Sequence, residues 1–451
     1  MRRLFGTDGV RGIANEFLSC ERAMQIGRAL GAVLSSNHKY RPKVVIGMDT
    51  RISSEMLCSA LCAGLCSVGS DCITLGVVPT PAVAYLVKKY GAKAGVMISA
   101  SHNPFAYNGI KIFDSEGFKL SDELEEQIES IVLDNTPPIK PAEPENIGFR
   151  RHETNAINDY IEYIKRTASQ PLDGLRIALD CANGSASTTA RQLFTALGAD
   201  CHMLSMSPDG ININEKCGST SLDSLKSYVK INGMDAGLAF DGDADRCLAV
   251  DENGNEVDGD FIMAILALDL RARGLLKKDT VVGTIMTNFG FQKFCDEYGL
   301  NFIAANVGDR YVLETINRQG YSFGGEQSGH VILRDYATTG DGQLTGVALL
   351  SCKKSTGKKL SELCSVMKRY PQHTVNIRTT PEGKIAMFTD EDIKAIVTEA
   401  EHSIGARGRI VVRPSGTEPV VRIMVEGEEL SSTVELCENT ARRIEEKLKA
   451  Y

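Results

Sequence analysis

Short apolar segments recur along the first three quarters of the chain, each followed by a polar loop and a helical stretch. Residues 43–47 form such a segment, and a second one at 71–75 follows the helical stretch and a glycine. Residues 176–204 repeat this order, and a third copy opens with an expected strand at 281–286 and a loop at 288–290. The order is typical of a βαβ unit on a largely buried parallel sheet. Three copies predict three related α/β domains.

The last eighty residues follow a different pattern, in which strand-like segments alternate with two long helical segments. This combination predicts a small α+β domain that is joined to the rest of the chain near Tyr370. The expected strands are 374–378, 409–412 and 420–425, and the expected helices are 392–402 and 431–449.

A linker is predicted at residues 137–144, because four of the chain's fourteen prolines lie there and such a segment continues neither a helix nor a central strand. The predicted fold class is therefore α/β with four domains around a central cleft: three related mixed α/β domains and a smaller C-terminal α+β domain. The expected domains are 1–150, 151–255, 256–370 and 371–451.

The composition of the 451 residues is that of a globular chain, with 43% hydrophobic and 24% charged residues. The 50 Lys and Arg against 58 Asp and Glu give a formal net charge of −8, so no nucleic-acid partner is expected. The longest apolar run, at 261–268, is far shorter than the roughly 18 residues of a membrane span. Without an apolar signal segment near Arg2 and Arg3, a soluble cytoplasmic protein without a membrane partner is expected.

The thirteen cysteines include three at helical spacing, Cys58, Cys62 and Cys66, which could indicate a metal or redox site. Leucines are interleaved with them and no histidine is near, so these thiols are expected to be reduced and to pack in the core.

Alternating carboxylates at Asp241, Asp243 and Asp245 are the sharpest local signal for chemistry, because their oxygens can converge on one hard cation. With Glu252 they occupy positions 1, 3, 5 and 12 of an EF-hand loop, but Arg246 replaces the glycine that this loop needs at position 6. The flanking segments are also strand-like. The pattern favours a catalytic Mg²⁺ site, and an exposed acidic turn is the alternative.

Ser101 follows a predicted strand at 94–98 and precedes His102, yet the chain has no G-x-S-x-G elbow that would indicate a serine hydrolase. A turn before Pro104 is an equally good local explanation. Lys111 lies on the next predicted strand, where its cation could face an anion at Ser101.

Three further loops carry polar groups that suit a phosphorylated sugar. Hydroxyls, glycine and arginine at 413–419, between two predicted strands, could hold a phosphate together with Arg422 beyond them, although a polar hairpin is an equal alternative. Glu326, Ser328 and His330 suit sugar hydroxyls, and Arg11 lies in a glycine-rich loop. Together with the carboxylates and the serine, these loops indicate phosphoryl transfer on a small phosphorylated molecule.

Five of these motifs occur in one order along almost the whole chain: FGTDGVRG at 5–12, SASHNP at 99–104 with YNGIK at 107–111, DGDADR at 241–246, GEQSGH at 325–330 and RPSGTEP at 413–419. With them the chain resembles the α-D-phosphohexomutases. FGTDGVRG, GEQSGH and the segment VGDRYV at 307–312 resemble the branch of that family that acts on aminosugars. Glucose and mannose mutases tend to carry a histidine near Asp309.

The resemblance implies a role for each motif. Ser101 would be the phosphoserine and, through its phosphate, a ligand of one Mg²⁺ held by Asp241, Asp243 and Asp245. Lys111 and His330 would be candidates for proton transfer, and Arg11 and Arg246 would stabilise charge near the transferred group. The implied substrate-binding residues are Glu326, Ser328, Asp309, Arg310, Arg413, Ser415, Gly416, Thr417 and Arg422.

The activity that the resemblance implies is the interconversion of glucosamine 6-phosphate and glucosamine 1-phosphate, with glucosamine 1,6-bisphosphate as intermediate and activator. It would feed UDP-N-acetylglucosamine and peptidoglycan synthesis. The expected partner is a small sugar phosphate, and relatives also suggest a homodimer and an activating kinase. The alternatives are a sister mutase for glucose or mannose phosphates, a metal-dependent phosphatase, and a non-catalytic Ca²⁺-binding module.

Overall fold

The computed structural model of the chain describes residues 3–6, 8–35, 41–415 and 419–451. They form two compact units. The first contains Met1–Thr284 and Ala305–Ser365, and the second contains Ile285–Ala304 and Val366–Tyr451. Within the described part of the chain, every helix is too short or too polar to span a membrane.

The first domain is built on a mixed sheet. Its elements are β1 (Val10–Ile13), α1 (Cys20–Ser35), β2 (Lys43–Met48), α2 (Ser54–Ser67), β3 (Asp71–Val77), α3 (Thr80–Lys89), β4 (Ala94–Ile98), β5 (Tyr107–Asp114), α4 (Asp122–Asp134) and β6 (Arg150–His152). The six strands lie in the order β1-β5-β4-β2-β3-β6, and β2 is parallel to both β3 and β4. Cys58 and Cys62 pack in the core under α1, as predicted. Residues 137–144, predicted as a linker, hold neither a strand nor an α-helix.

The second domain repeats the parallel arrangement. Its elements are α5 (Ala156–Lys165), β7 (Arg176–Asp180), α6 (Ala190–Ala196), β8 (Asp200–Leu204), α7 (Asp223–Asn232), β9 (Ala236–Phe240), β10 (Cys247–Asp251) and β11 (Glu256–Val257). The strand order is β11-β10-β9-β7-β8, with β7 parallel to β8 and β9. Because β9 and β10 are antiparallel and fully buried, the DGDADR loop between them begins and ends in the core.

The third domain contributes α8 (Gly259–Ala272), β12 (Thr280–Thr284), α9 (Phe289–Tyr298), β13 (Asn301–Ala305), α10 (Asp309–Gln319), β14 (Phe323–Gly325), β15 (Val331–Leu333), α11 (Gly342–Thr356) and α12 (Leu360–Cys364). The GEQSGH loop connects the antiparallel strands β14 and β15. The expected strand at 281–286 was too long, since β12 ends at Thr284. Gly290, expected in a loop, lies inside α9, because the Asn288 side chain caps this helix by accepting from the Gly290 N–H at 3.0 Å.

The C-terminal domain consists of β16 (Gln372–Arg378), α13 (Pro381–Thr389), α14 (Glu391–Ile404), β17 (Gly408–Pro414), β18 (Val420–Gly427) and α15 (Leu430–Leu448). Its antiparallel sheet has the order β16-β18-β17, and Cys437 and Ile444 of α15 pack in its core. The predicted strands and both predicted helices are confirmed. The sequence pattern missed α13, which begins at a proline and is capped by the Thr380 hydroxyl.

Candidate active site

Ser101 lies at the end of β4, in the first compact unit, in a conformation that few residues other than glycine adopt. Its φ angle is 53°, and only 1% of the residue is exposed. The hydroxyl Oγ donates a hydrogen bond to Asp241 Oδ2 at 2.6 Å. His102 Nδ1 is 3.4 Å from Oγ, but burial and the cations of Arg246 and Arg11 lower the pKa of His102 to about 4. His102 is therefore a poor base, and the serine is joined to the carboxylate loop instead.

The three carboxylates of the DGDADR loop converge as the sequence predicts. One oxygen of each of Asp241, Asp243 and Asp245 lies within 4.8 Å of the others, and all three residues are buried. Gly242 is required where this loop touches the serine loop, because a Cβ there would lie 2.5 Å from the Ser101 carbonyl oxygen. Two compact loops from different domains therefore meet at Ser101.

This carboxylate set fits a hard divalent cation. The Oδ1 atoms of Asp243 and Asp245 are buried and have no hydrogen-bond partner among the described residues. Burial, followed by the charges of Asp245 and Asp243, raises the pKa of Asp241 well above its usual value. A bound cation would satisfy the bare oxygens and relieve this repulsion, and oxygen-only ligands suit Mg²⁺.

Lys111 projects from β5 into the same acidic cluster. Its Nζ is 2.8 Å from Asp243 Oδ2, 3.1 Å from Asp8 Oδ2 and 3.5 Å from Asp245 Oδ2. Burial opposes the charged form, yet these carboxylates raise the pKa of Lys111 above its usual value. Lys111 therefore stays a cation within the carboxylate cluster, and in this state it can stabilise an anion.

His330, at the end of the GEQSGH loop, is held between two carboxylates. Nδ1 is 3.7 Å from Asp245 Oδ2, and Nε2 is 3.6 Å from Asp309 Oδ2. Burial opposes the charged ring, but these neighbours raise its pKa to about 9. The Gly340 N–H, in contrast, donates to Nε2 at 3.1 Å and favours the neutral ring. Opposing influences of this kind keep both forms accessible, which is what a proton carrier needs.

The other predicted residues of the first unit fall into two groups: some have a buried polar atom without a hydrogen-bond partner in the described part of the chain, and others are already paired with a neighbouring residue. Buried groups with no hydrogen-bond partner in the described chain are Arg11 Nε, Arg246 Nε and Ser328 Oγ, so each is able to bind an incoming polar group. Glu326 accepts from the Gly308 N–H at 3.1 Å. Arg310, in contrast, forms ion pairs with Asp122 and with Glu314, the latter at 2.8 Å.

A second group of predicted residues lies in the second compact unit. Arg413 and Arg422 are directly opposite each other on β17 and β18, and burial, followed by the charge of Arg422, lowers the pKa of Arg413. Like charges in this position destabilise a sheet unless an anion binds between them. Ser415 follows Arg413, and Lys384 Nζ donates to the Ser415 carbonyl at 2.6 Å. The predicted Gly416 and Thr417 lie outside the described residues.

Family models match all four domains. The models described as phosphoglucomutase/phosphomannomutase, alpha/beta/alpha domains I, II and III, match residues 2–138, 158–254 and 258–370, and the C-terminal domain model matches 375–443. The chain belongs to the phosphoglucomutase/phosphomannomutase family. The resemblance seen in the motifs is thereby confirmed, and the chain is an isomerase of the phosphohexomutase type.

Curated relatives within the family match the chain from end to end. A phosphoglucosamine mutase from Acetivibrio thermocellus is 50% identical over 448 residues, which are 99% of this chain and 100% of the relative. Another phosphoglucosamine mutase, from a Thermoanaerobacter species, is 52% identical over 448 residues with the same coverage.

Solved structures of the family share the fold at lower identity. A phosphoglucomutase/phosphomannomutase family protein from Burkholderia thailandensis superposes with a TM-score of 0.85 at 23% identity, covering 100% of this chain and 98% of its own. An N-acetylphosphoglucosamine mutase from Aspergillus fumigatus, solved with GlcNAc-6P and magnesium, gives a TM-score of 0.69 at 16% identity, covering 99% and 96% of the two chains.

Sequence reasoning missed several residues of this mutase site. Lys119 Nζ bridges two carboxylates, at 2.8 Å from Asp8 Oδ1 and 2.6 Å from Asp309 Oδ2. Thr80 donates from its hydroxyl to Asp243 Oδ2 at 2.7 Å. Asp8 could have been found from the sequence, because it lies inside the FGTDGVRG motif. Neither Lys119 nor Thr80 belongs to a recognisable motif.

The Ca²⁺-binding alternative is contradicted by the position of Glu252. An EF-hand would bring this carboxylate to the same ion as Asp241, Asp243 and Asp245. In the structure Glu252 instead accepts hydrogen bonds from the Ser361 hydroxyl and from the Ser361 N–H, the latter at 3.3 Å. The loop is also flanked by strands, where an EF-hand has helices.

Proposed function

We propose that this chain is a phosphoglucosamine mutase, which interconverts glucosamine 6-phosphate and glucosamine 1-phosphate. The observation that carries the proposal is the hydrogen bond of 2.6 Å between Ser101 Oγ and Asp241, which joins a nucleophile to the buried carboxylate cluster. The choice of an aminosugar is supported by full-length relatives of about 50% identity that carry this name. The reaction would feed UDP-N-acetylglucosamine and peptidoglycan synthesis.

The proposed cycle starts with a phosphorylated Ser101. The bond between phosphorus and Ser101 Oγ breaks while O1 of glucosamine 6-phosphate bonds to the phosphorus, which yields glucosamine 1,6-bisphosphate. The bisphosphate then changes its orientation in the site, so that its 6-phosphoryl group faces Ser101. This group is transferred to Ser101 Oγ, and glucosamine 1-phosphate leaves. No phosphate is lost in this cycle, because each phosphoryl group given is recovered.

Proton transfer in both halves of this cycle is assigned to His330 and Lys111. The attacking sugar hydroxyl must lose a proton, and in the return step Ser101 Oγ must lose one. His330 is the better acceptor of the two, because its pKa of about 9 lies below the raised pKa of Lys111 and the Gly340 N–H donates to Nε2 of the neutral ring. Lys111 is held as a cation by three carboxylates, which suits it to stabilise the oxygen that leaves.

Mg²⁺ would be held by Asp241, Asp243 and Asp245, with the phosphate on Ser101 as a further ligand. When bound, it neutralises phosphate charge and polarises the phosphoryl oxygens. Arg11 and Arg246 add fixed positive charge to the same place, because phosphorylation of Ser101 brings about −1.5 to −2 charges into a buried site. This charge balance supports a stable phosphoserine.

Candidate substrate contacts are present in each of the two units. Glu326 and Ser328 are suited to the O3 and O4 hydroxyls of the sugar, and Arg413 and Arg422, with Ser415, to the phosphate that is not being transferred. A cradle that accepts either phosphate would allow the bisphosphate to bind in both orientations. Asp309 and Arg310 are assigned less direct roles, since each is already paired with a neighbouring charge.

The test is a panel of sugar phosphates assayed for 1-to-6 interconversion, with released inorganic phosphate measured in parallel. Glucosamine 6-phosphate is expected to be converted with the highest kcat/KM and without net phosphate release. Higher kcat/KM for glucose or mannose phosphate would assign the chain to a sister mutase. Net release of phosphate without an isomerised product would instead favour the metal-dependent phosphatase.

A further inference from the structure

A buried ion pair lies under the Ser101 loop and has no role in the cycle described above. The side chains of Asp49 and Arg51, in the polar loop after β2, are completely buried, and Arg51 Nε donates to Asp49 Oδ2 at 2.7 Å. The four carbonyl groups that the rest of the guanidinium contacts all belong to residues 101–107. All five side-chain hydrogen bonds of Arg51 in the described part of the chain therefore go to Asp49 and to the loop that carries the nucleophile.

The guanidinium of Arg51 donates hydrogen bonds to several backbone carbonyls of the serine loop. Nη2 donates to the Ser101 carbonyl at 2.9 Å and to the Asn103 carbonyl at 2.8 Å. Nη1 donates to the Pro104 carbonyl at 2.5 Å and to the Tyr107 carbonyl at 2.9 Å. One planar group thus fixes four peptide units, and a guanidinium is the only side chain with enough rigidly placed donors to do so.

Asp49 is connected to the same loop by a second chain of hydrogen bonds, through Ser99. Its Oδ2 accepts from the Ser99 hydroxyl at 2.6 Å, and the Ser99 oxygen in turn accepts from the Ser101 N–H at 2.9 Å. Oδ1 accepts from the Ser54 hydroxyl at 2.8 Å and from the Arg51 N–H at 3.0 Å. The ion pair therefore restrains both the N–H and the carbonyl of Ser101.

A residue of the second domain contacts the same two carbonyl groups. Asn214 Nδ2 is 3.0 Å from the Ser101 oxygen and 3.3 Å from the Asn103 oxygen. Arg51 and Asn214 thus hold these carbonyls from two domains, close to Gly242 of the carboxylate loop. These contacts lie on the loop that brings Ser101 Oγ to Asp241.

The loop needs such restraint for two physical reasons. Ser101 is held at positive φ, a strained conformation that a non-glycine residue keeps only where its surroundings impose it. In the proposed cycle the same residue also gains and loses about −1.5 to −2 charges. A loop free to relax after each transfer would move Oγ away from the phosphoryl group that must return.

We propose that Arg51, oriented by Asp49, is a positioning residue that keeps the Ser101 loop in one conformation in both the phosphorylated and the free state of the serine. The proposal rests on the proposed mutase function, because only a cycle with both states requires it. A purely structural role would make Arg51 matter for stability and leave turnover of the folded enzyme unchanged.

The test is Arg51→Lys in the full-length chain with Mg²⁺. Lysine keeps the charge but offers one nitrogen where five bonds are needed. We expect kcat per folded molecule to fall roughly 10²-fold, the cost of a misplacement of about 1 Å, with KM for glucosamine 6-phosphate changed less than about threefold. Amide hydrogen exchange at residues 101–107 should accelerate at the same time.

Leu61→Ala is the matched control, since Leu61 lies in the core of the same domain and is absent from the site. It should lower the melting temperature without changing kcat per folded molecule.

Asp49→Asn is the second variant if Arg51→Lys does not fold. It should likewise lower kcat while changing KM much less. An Arg51→Lys enzyme with wild-type kcat would overturn the proposal. A wild-type enzyme without mutase activity would overturn the proposed function instead, while unaltered hydrogen exchange in Arg51→Lys would still reject the positioning role.

Discussion

The three carboxylates of the DGDADR loop are chemically alike but have different partners. Asp241 accepts from Ser101, Asp243 accepts from Lys111 at 2.8 Å, and Asp245 faces His330. The alternating spacing predicts that they converge, because it is a local property of the loop. The partners could not be predicted from spacing, since each one comes from a strand or loop more than 80 residues away in sequence.

Asp243→Asn is expected to reduce turnover at least about 10²-fold, because it removes a charge from the cation site and a partner from Lys111. Its affinity for Mg²⁺, measured by calorimetry, should fall as well. Turnover and the calorimetric titration are compared with those of the wild-type enzyme at equal concentrations of folded protein.

Glu252→Gln is the control for that substitution. Glu252 lies six residues after the end of the DGDADR loop, and its carboxylate accepts a hydrogen bond from the Ser361 N–H. We expect wild-type turnover and Mg²⁺ affinity. Loss of metal binding in Glu252→Gln, with normal binding in Asp243→Asn, would contradict the assignment of the site.

At the scale of elements, the start of α11 connects the two loops of the site. Asp341 caps this helix by accepting from the Leu344 N–H at 2.9 Å. The neighbouring Gly342 N–H donates to the Ala244 carbonyl in the DGDADR loop at 3.0 Å, and the Gly340 N–H donates to His330. The segment that begins α11 therefore supports both the backbone of the metal-site loop and the proton-transfer residue His330.

The buried cap carries a pH dependence. Burial raises the pKa of Asp341 from 3.8 to about 6. Between these values the folded state keeps a proton that the unfolded chain has lost, so the free energy of unfolding falls as the pH rises. Asp341→Asn keeps the cap without the charge, and the wild type should lose about 2 kcal/mol relative to it from pH 4 to pH 6.5. Urea unfolding at both pH values measures the difference.

Asp390 provides the opposite case, because it caps α14 at the surface and its hydrogen bonds lower its pKa. Asp390→Asn should therefore lose stability relative to the wild type as the pH rises through the pKa of Asp390. If the two substitutions gave pH trends of the same sign, the role assigned to burial at Asp341 would be wrong.

Elements could be predicted where their pattern is local. Buried runs such as β4 and β9 and the long α15 were predicted from their apolar residues alone. The start of α9 and the existence of α13 were not, because each depends on a single capping side chain, Asn288 or Thr380.

At the scale of the whole molecule, the net charge predicts which class of macromolecular partner is excluded. It does not predict the charge of the ligand that the site binds. The formal charge of −8 argues against a polyanion, yet the proposed substrate is an anion held by a few placed arginines. Family membership could be predicted from motifs that occur in one order, and the four-domain fold from the repeated order of strands, loops and helices. The network of Asp8, Lys119 and Asp309 could not, because it forms only when separate domains meet.

Arg413→Met tests the proposed phosphate cradle in the second unit. KM for glucosamine 6-phosphate should rise about tenfold or more, since a hydrogen bond to a charged group contributes about 1.5–3 kcal/mol. The melting temperature of the second unit should not fall, because the substitution removes a charge that faces Arg422. Arg442→Met, on the exposed side of α15, is the control. An unchanged KM in Arg413→Met would reject the cradle.

The central claim is that Ser101 carries the transferred phosphoryl group. It is tested by intact mass with phosphosite mapping after incubation with glucosamine 1,6-bisphosphate, followed by a glucosamine 6-phosphate assay, for the wild type and Ser101→Ala. We predict one phosphoryl group on the wild type, mapped to Ser101, and neither phosphorylation nor product formation in the variant. Full mutase activity in Ser101→Ala would contradict the account.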